Sequence, residues 1–378
     1  MNEGRGFSAR TLASLIAVAM IGVAGCSGEE NTAAAVATES EQSAAESGAD
    51  EAAEALPPAE PAFALPTPRE AVAKDLRPFS TRMPTITFNK LTLPLVRSQL
   101  GGQGGDIPET VTERTIPGPE GSPDVTVFIA DPRPDDSEKP LFLHMHGGGY
   151  VVYSARDFAP FLPTIAEACD CVVVSVDYRL APETQFPGPR DDNFAALKWV
   201  VDNAVELGVD TNKIAVGGES AGGGHAAQLT ISARDEGIPI AFQVLVYPML
   251  DDRTGSVRDV PEHIGHYIWN AGSNTFAWSS YLGQPAGSDT VPYGAVPARL
   301  EDLSGLPPAW IGVGGVDLFM AEDITYARRL MEAGVPVEMH VVPGAFHAFD
   351  SLAEATPAAI AFRESWAGAL RRALHSGS

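Results

Sequence analysis

Basic residues are scarce in this chain. It holds 25 Lys and Arg against 49 Asp and Glu over 378 residues, a formal charge of −24, and no basic run occurs in it. Nucleic-acid binding needs clustered Lys and Arg to neutralise phosphates, so that class of partner is excluded. Cysteine is scarcer still: Cys26, Cys169 and Cys171 are the whole complement. Cys169 and Cys171 stand two apart, a spacing at which a bridge is expected to be strained. They read as small residues beside the buried run Val172-Val173-Val174. A metal centre on that pair would need further ligands, and no Cys or His cluster supplies them. No metal and no organic cofactor is expected. A long apolar run near the start is missing too: Leu12 to Val23 is too short to span a bilayer comfortably.

What the chain does have is enough apolar material, 44% hydrophobic residues, for a sizeable core. Its length fits one large α/β domain with extra segments. The N-terminus has a targeting pattern. Arg5 and Arg10 precede the short apolar stretch, and small residues follow, as in a secretory signal. The ending Val23-Ala24-Gly25-Cys26 resembles a bacterial lipobox, in which the cut falls before a cysteine whose sulfur is then acylated. The expectation is a signal peptide over 1–25, lipidation at Cys26, and an exported, membrane-anchored lipoprotein. Residues 27–68 carry nine Asp or Glu, no Lys or Arg, and a Pro-rich end. Such a composition predicts a disordered acidic linker over 26–68, a tether between anchor and domain.

From about residue 124 the chain alternates strand-like and helix-like stretches. Val125–Ala130, Leu141–His146, Cys171–Val176, Ile214–Gly217, Phe242–Tyr247, Ala309–Gly314 and Val337–Val342 are short, branched and bounded by turn residues. Helical patterns over Asp191–Leu207, Ala221–Glu236 and Glu322–Ala333 each stop at a glycine. This alternation predicts an α/β fold, a mostly parallel central sheet with helices on both faces. Two stretches break it, 69–110 and about 251–300. The second holds Tyr267, Trp269, Phe276, Trp278 and Tyr281, and together they are expected to form a helical cap on the main domain at 111–378.

Gly218-Glu219-Ser220-Ala221-Gly222 is a G-x-S-x-G between a strand and a helix, the context of a nucleophile elbow. His146-Gly147-Gly148-Gly149 follows another strand and offers bare backbone N–H groups for an oxyanion. A serine nucleophile needs a base and a group to orient it. Of eight histidines, His144 and His146 precede the serine, and His225 lies more than a turn along the helix that begins there. His263 and His266 fall in the cap, His340 inside a strand with a buried structural role expected, and His375 in the tail. His347 lies in a loop after the strand Val337–Val342, at the sheet edge where a base belongs. Asp317 follows Ala309–Gly314 and is the candidate acid. Glu322 and Asp323 read as acids of a first helical turn.

These motifs resemble the hormone-sensitive-lipase-like branch of the α/β-hydrolase esterases, over about 110–375. That branch pairs an HGGG loop with a YRLAPE segment, here Tyr178-Arg179-Leu180-Ala181-Pro182-Glu183. Its GDSAG elbow reads with Glu219 in place of aspartate. Its D-x-L-x-D-E region reads Asp317-Leu318-Phe319-Met320-Ala321-Glu322, and its HGF reads His347-Ala348-Phe349. The resemblance implies a catalytic set of Ser220, Asp317 and His347, with Gly148, Gly149 and Ala221 donating N–H groups to the oxyanion. It implies small carboxylic esters of short to medium acyl chain as substrates. Asp177, Arg179 and Glu183 have no step to perform and are expected to be scaffold. A long-chain lipase, an amidase and a non-catalytic binding protein on the same fold are the competing readings.

Overall fold

Valine-rich runs set the architecture of the computed structural model, which describes residues 65–81, 86–101 and 105–375. The expected signal peptide, Cys26 and most of the linker lie outside these residues. Eight strands form one sheet: β1 (Val111–Ile116), β2 (Val125–Ala130), β3 (Lys139–Met145), β4 (Val172–Asp177), β5 (Val209–Glu219), β6 (Phe242–Val246), β7 (Ala309–Gly314) and β8 (Val337–Val342). Their order is β1-β2-β4-β3-β5-β6-β7-β8. β1–β2 and β2–β4 are antiparallel, and every pair from β4 to β8 is parallel. Strands β3, β6 and β7 are buried along their whole length, as parallel strands covered on both faces must be.

The longer helices are α1 (Leu93–Leu100), α2 (Leu162–Cys169), α3 (Gly188–Asp202), α4 (Ala221–Asp235), α5 (Ala271–Leu282), α6 (Met320–Glu332) and α7 (Pro357–His375). Two apolar clusters occupy the two faces of the sheet. One joins Leu143, Val174 and Val216 to Leu197 and Leu229, the other joins Phe142, Val173 and Val244 to Leu162, Phe362 and Leu370. A third gathers Phe88, Leu93 and Val96 from the N-terminal stretch with Trp269, Trp278 and Tyr281 from the 251–300 stretch. Both irregular stretches therefore pack together, over Tyr150, Val151 and Ala221.

Several expectations need correction. Cys169 and Cys171 are joined by a disulfide of 2.05 Å. The bridge is reached because Asp170 between them takes a left-handed conformation, φ 55°, at the end of α2. That reversal brings the two Cα atoms to 5.4 Å, within the ordinary range for a disulfide. The helix expected over 191–207 starts earlier, at Gly188, and breaks at Asn203 before a last turn, Ala204–Leu207. β5 begins at Val209, five residues before its apolar part. His340 is not buried: its side chain on the edge strand β8 is 39% exposed. Its Nε2 meets Glu338 at 2.9 Å and Ser365 at 3.2 Å, and its ring stacks on Trp310.

Candidate active site

β5 ends at Glu219 and α4 begins at Ala221, so the chain reverses at Ser220. Its φ of 56° and ψ of −118° fall in a region that non-glycine residues rarely adopt. Two backbone bonds hold the turn: Ser220 N–H donates to Val246 O, and Met249 N–H donates to Ser220 O, both at 2.9 Å. The flanking glycines are there for space. A Cβ on Gly218 or Gly222 would lie 2.0 Å from the carbonyl oxygen of Met145.

Parallel strands deliver the other groups to the same edge. Asp317 follows β7 and His347 follows β8. His347 Nε2 lies 2.9 Å from Ser220 Oγ, and His347 Nδ1 lies 2.8 Å from Asp317 Oδ2. Asp317 Oδ1 accepts the backbone N–H of Phe319 at 3.0 Å, which fixes the carboxylate plane. All three side chains are nearly inaccessible, with Ser220 7% exposed. A carboxylate on Nδ1 places the imidazole proton there and leaves the Nε2 lone pair facing the hydroxyl. Tyr247 and Phe319 pack in T-shaped contact with His347, with centroids at 4.8 and 5.3 Å, and clamp its orientation.

The glycine loop after β3 faces Ser220. A Cβ on Gly147 would lie 3.7 Å from Ser220 Cβ. Gly148 and Gly149 have φ of 125° and 59°. Among the described residues, no carbonyl accepts the N–H groups of Gly148, Gly149 and Ala221. His146 anchors the loop. Its Nδ1 donates to Gly147 O at 2.8 Å, and its ring stacks on Tyr178 at 4.2 Å. Burial drives its pKa down to about 3, so it is neutral at physiological pH. Glu219, the departure from the usual aspartate, reaches His144 Nε2 at 3.1 Å, while His144 Nδ1 meets Ser175 Oγ.

The remaining candidates sort cleanly. His225 is buried among Tyr150, Tyr178 and Tyr281, away from His347, and its pKa is lowered to about 3 by burial. His375 meets the carbonyl of Cys169. Glu322 and Asp323 do lie in the first turn of α6, but they face inward and are buried. Glu322 accepts the N–H groups of Leu250 and Asp251 and the Thr254 hydroxyl, and burial pushes both carboxyls far up. Arg179 pairs with buried Asp192, Glu183 with Arg97, and Asp177 accepts the N–H of Ala155, so all three serve as scaffold. Among the described residues no group of three metal-ligating side chains stands together.

Two features escaped sequence reasoning. Trp269 lies directly on Gly149, where an added Cβ would come within 2.2 Å of the indole. Its Nε1 donates to Asn274 Oδ1. The five aromatics of that stretch pointed to a cap, yet nothing in their spacing marked one above the rest. Trp278 and Tyr281 are core, packed on Tyr150. The second feature is Asp350, which accepts the hydroxyl of Tyr247 at 2.9 Å behind His347.

A sheet of this order, with a serine at the turn between β5 and α4, defines an α/β-hydrolase. The alpha/beta hydrolase fold family matches residues 142–351, and the chain belongs to it, within the hormone-sensitive-lipase-like branch. Esterase LipI of Mycobacterium tuberculosis is 35% identical over 276 residues, covering 70% of this chain and 82% of that protein. Carboxylesterase NlhH of the same species is 37% identical over 275 residues, 70% of this chain and 83% of that one. A bacterial heroin esterase of known structure superposes with a TM-score of 0.73 at 36% identity, covering 81% of this chain and 98% of its own. The chain is a carboxylic ester hydrolase.

Proposed function

We propose that hydrolysis proceeds through an acyl-enzyme on Ser220. The observation that carries this reading is the continuous contact Asp317–His347–Ser220, at 2.8 and 2.9 Å. Ser220 Oγ attacks the ester carbonyl carbon as His347 Nε2 takes its proton. Asp317 stabilises the imidazolium so formed. The N–H groups of Gly148, Gly149 and Ala221 donate to the oxygen that becomes negative, and the N-terminus of α4 adds its dipole. Collapse of the tetrahedral intermediate expels the alcohol, which leaves with the proton from His347. Water then attacks the acyl-enzyme by the same steps and frees the acid.

Short to medium acyl chains fit the surroundings best. Trp269 roofs the glycine loop, and Tyr247 and Phe319 flank the base. Ser220 itself is only 7% exposed. The test is turnover on p-nitrophenyl esters of increasing chain length, beside matched amides and a triglyceride emulsion. The expected result is highest kcat/KM on the shorter esters. Highest kcat/KM on the amide or the triglyceride would overturn the substrate reading. The pattern from Arg5 to Cys26 further supports export and acylation at Cys26, with the acidic stretch after it as a tether.

A further inference from the structure

Large apolar side chains are exposed in a few places on this molecule, and three of them fall within ten residues. Ile86 is 38% exposed, Leu91 91% and Leu95 59%. Leu91 stands in the turn that leads into α1 and Leu95 one helical turn beyond it. Leu91 and Leu95, with exposed Pro94 and Ser98, form one ridge at the i, i+3, i+4, i+7 spacing of a helix face, and Ile86 is exposed in the irregular chain that precedes it. The opposite face of the same segment is already used. Leu93 and Val96 are buried, Phe88 packs edge-on against Trp269 at 5.3 Å, and Arg97 Nε donates to Val151 O at 2.7 Å. A segment apolar on both faces has a second partner to meet.

Charge says what that partner is. Between Asp75 and Asp106 the sequence holds Arg77, Arg82, Lys90 and Arg97 and no acid at all, in a chain of net charge −24. Arg97 is committed to Glu183 and two carbonyls, and Arg77 to the carbonyls of Val72 and Glu70. Lys90 is exposed beside Leu91. A docking face for another acidic copy of this chain needs a run of cations; a face for a lipid surface needs leucines to enter the acyl boundary and cations, without acids, at the headgroups. No helix among the described residues is long and apolar enough to cross a membrane, so contact of this kind is peripheral.

We propose that the ridge of Leu91 and Leu95, with Lys90, is a docking surface for an anionic lipid bilayer, which sets the roof of the active site against the membrane. The same segment carries Phe88, which rests on Trp269, which rests on Gly149. An ester leaving the bilayer would therefore enter beside the glycine loop. The proposal stands on the surface alone and needs neither the acyl anchor nor the assigned nucleophile.

The test uses the chain without residues 1–25 and carrying Cys26→Ala, so that neither the Arg5–Val23 segment nor an acyl anchor contributes. Flotation is measured with vesicles of phosphatidylcholine alone and of phosphatidylcholine mixed with phosphatidylglycerol. The expected result is binding to the anionic vesicles, weakened by salt. The pair Leu91→Ser and Leu95→Ser should lower partitioning at least about tenfold, while turnover of a short soluble ester stays within about twofold. Val205→Ser, at a lone exposed valine elsewhere, should bind as the parent does. Absence of binding to either vesicle, or equal binding by parent and double variant, overturns the proposal. So does a parent dimer in sedimentation that the double variant abolishes, which would assign the ridge to a second copy.

Discussion

Asp350 shows how a single residue behind His347 couples stability to pH. Burial pushes its carboxyl up to about 6, only partly offset by the Tyr247 hydroxyl. An unfolded aspartate ionises near ~3.9. A folded pKa raised in this way leaves stability intact below the unfolded value and erodes it as pH rises through about 6. A shift of this size is worth ~3 kcal/mol. Asp350→Asn keeps an acceptor for Tyr247 and removes the charge. Its stability relative to the parent should thus be ~3 kcal/mol more favourable at pH 8 than at pH 4, read by denaturant unfolding at both. A difference that ignores pH would show that the carboxyl is not held neutral. Gly149 offers a second test. Alanine there adds a Cβ against the Trp269 indole at a positive φ and should cost ~10²–10³ in kcat by displacing an N–H donor. Adding Trp269→Ala should return at least about tenfold of that loss, and no recovery would mean that the indole contact is not the cause. Neither residue's neighbour was readable in the sequence. The approach of Ser220, His347 and Asp317 was, because each follows a strand whose apolar run is plain, whereas Asp350 stands in no motif that marks it as a partner of Tyr247.

Elements followed the same rule. β2, β7 and β8 appear with their expected bounds because their branched runs are short and sharply ended. β1 went unread: Val-Thr-Glu-Arg-Thr-Ile has exposed charges along an edge strand paired only with β2, so its apolar content is low. The early part of β5, Asp210 to Lys213, is polar for the same reason of exposure. The reversal at Asp170 that closes the Cys169–Cys171 bridge is a backbone choice that composition does not announce. The roof segment is tied down by Arg97, which reaches Glu183, Val151 O and Ala181 O from α1. Arg97→Ala leaves those carbonyls without their donor. Amide hydrogen exchange over 86–101 should accelerate by about tenfold or more, with β3 to β7 unchanged. Uniform acceleration across the sheet would instead make Arg97 part of global stability.

At the scale of the whole molecule, the distribution of charge organises the reading. Acid dominates the chain, and the stretch 27–68 contains no cation. Under the proposed anchoring at Cys26, the acids of that stretch would keep the stretch itself off anionic headgroups, while the ridge at Leu91 and Leu95 meets the bilayer. Detergent partitioning of the natural chain against Cys26→Ala should separate them, the parent entering the detergent phase with an acyl mass at its N-terminus. Both proteins in the aqueous phase, unacylated by intact mass, would refute the anchor. The catalytic claim is independent of location. Its most direct measurement is reaction with a fluorophosphonate probe, followed by peptide mapping and parallel turnover assays of Ser220→Ala. The account predicts one phosphonyl group per chain, on Ser220, and a loss of kcat of ~10⁴-fold or more in the folded variant. A label on another residue, no label at all, or undiminished turnover by Ser220→Ala would contradict it.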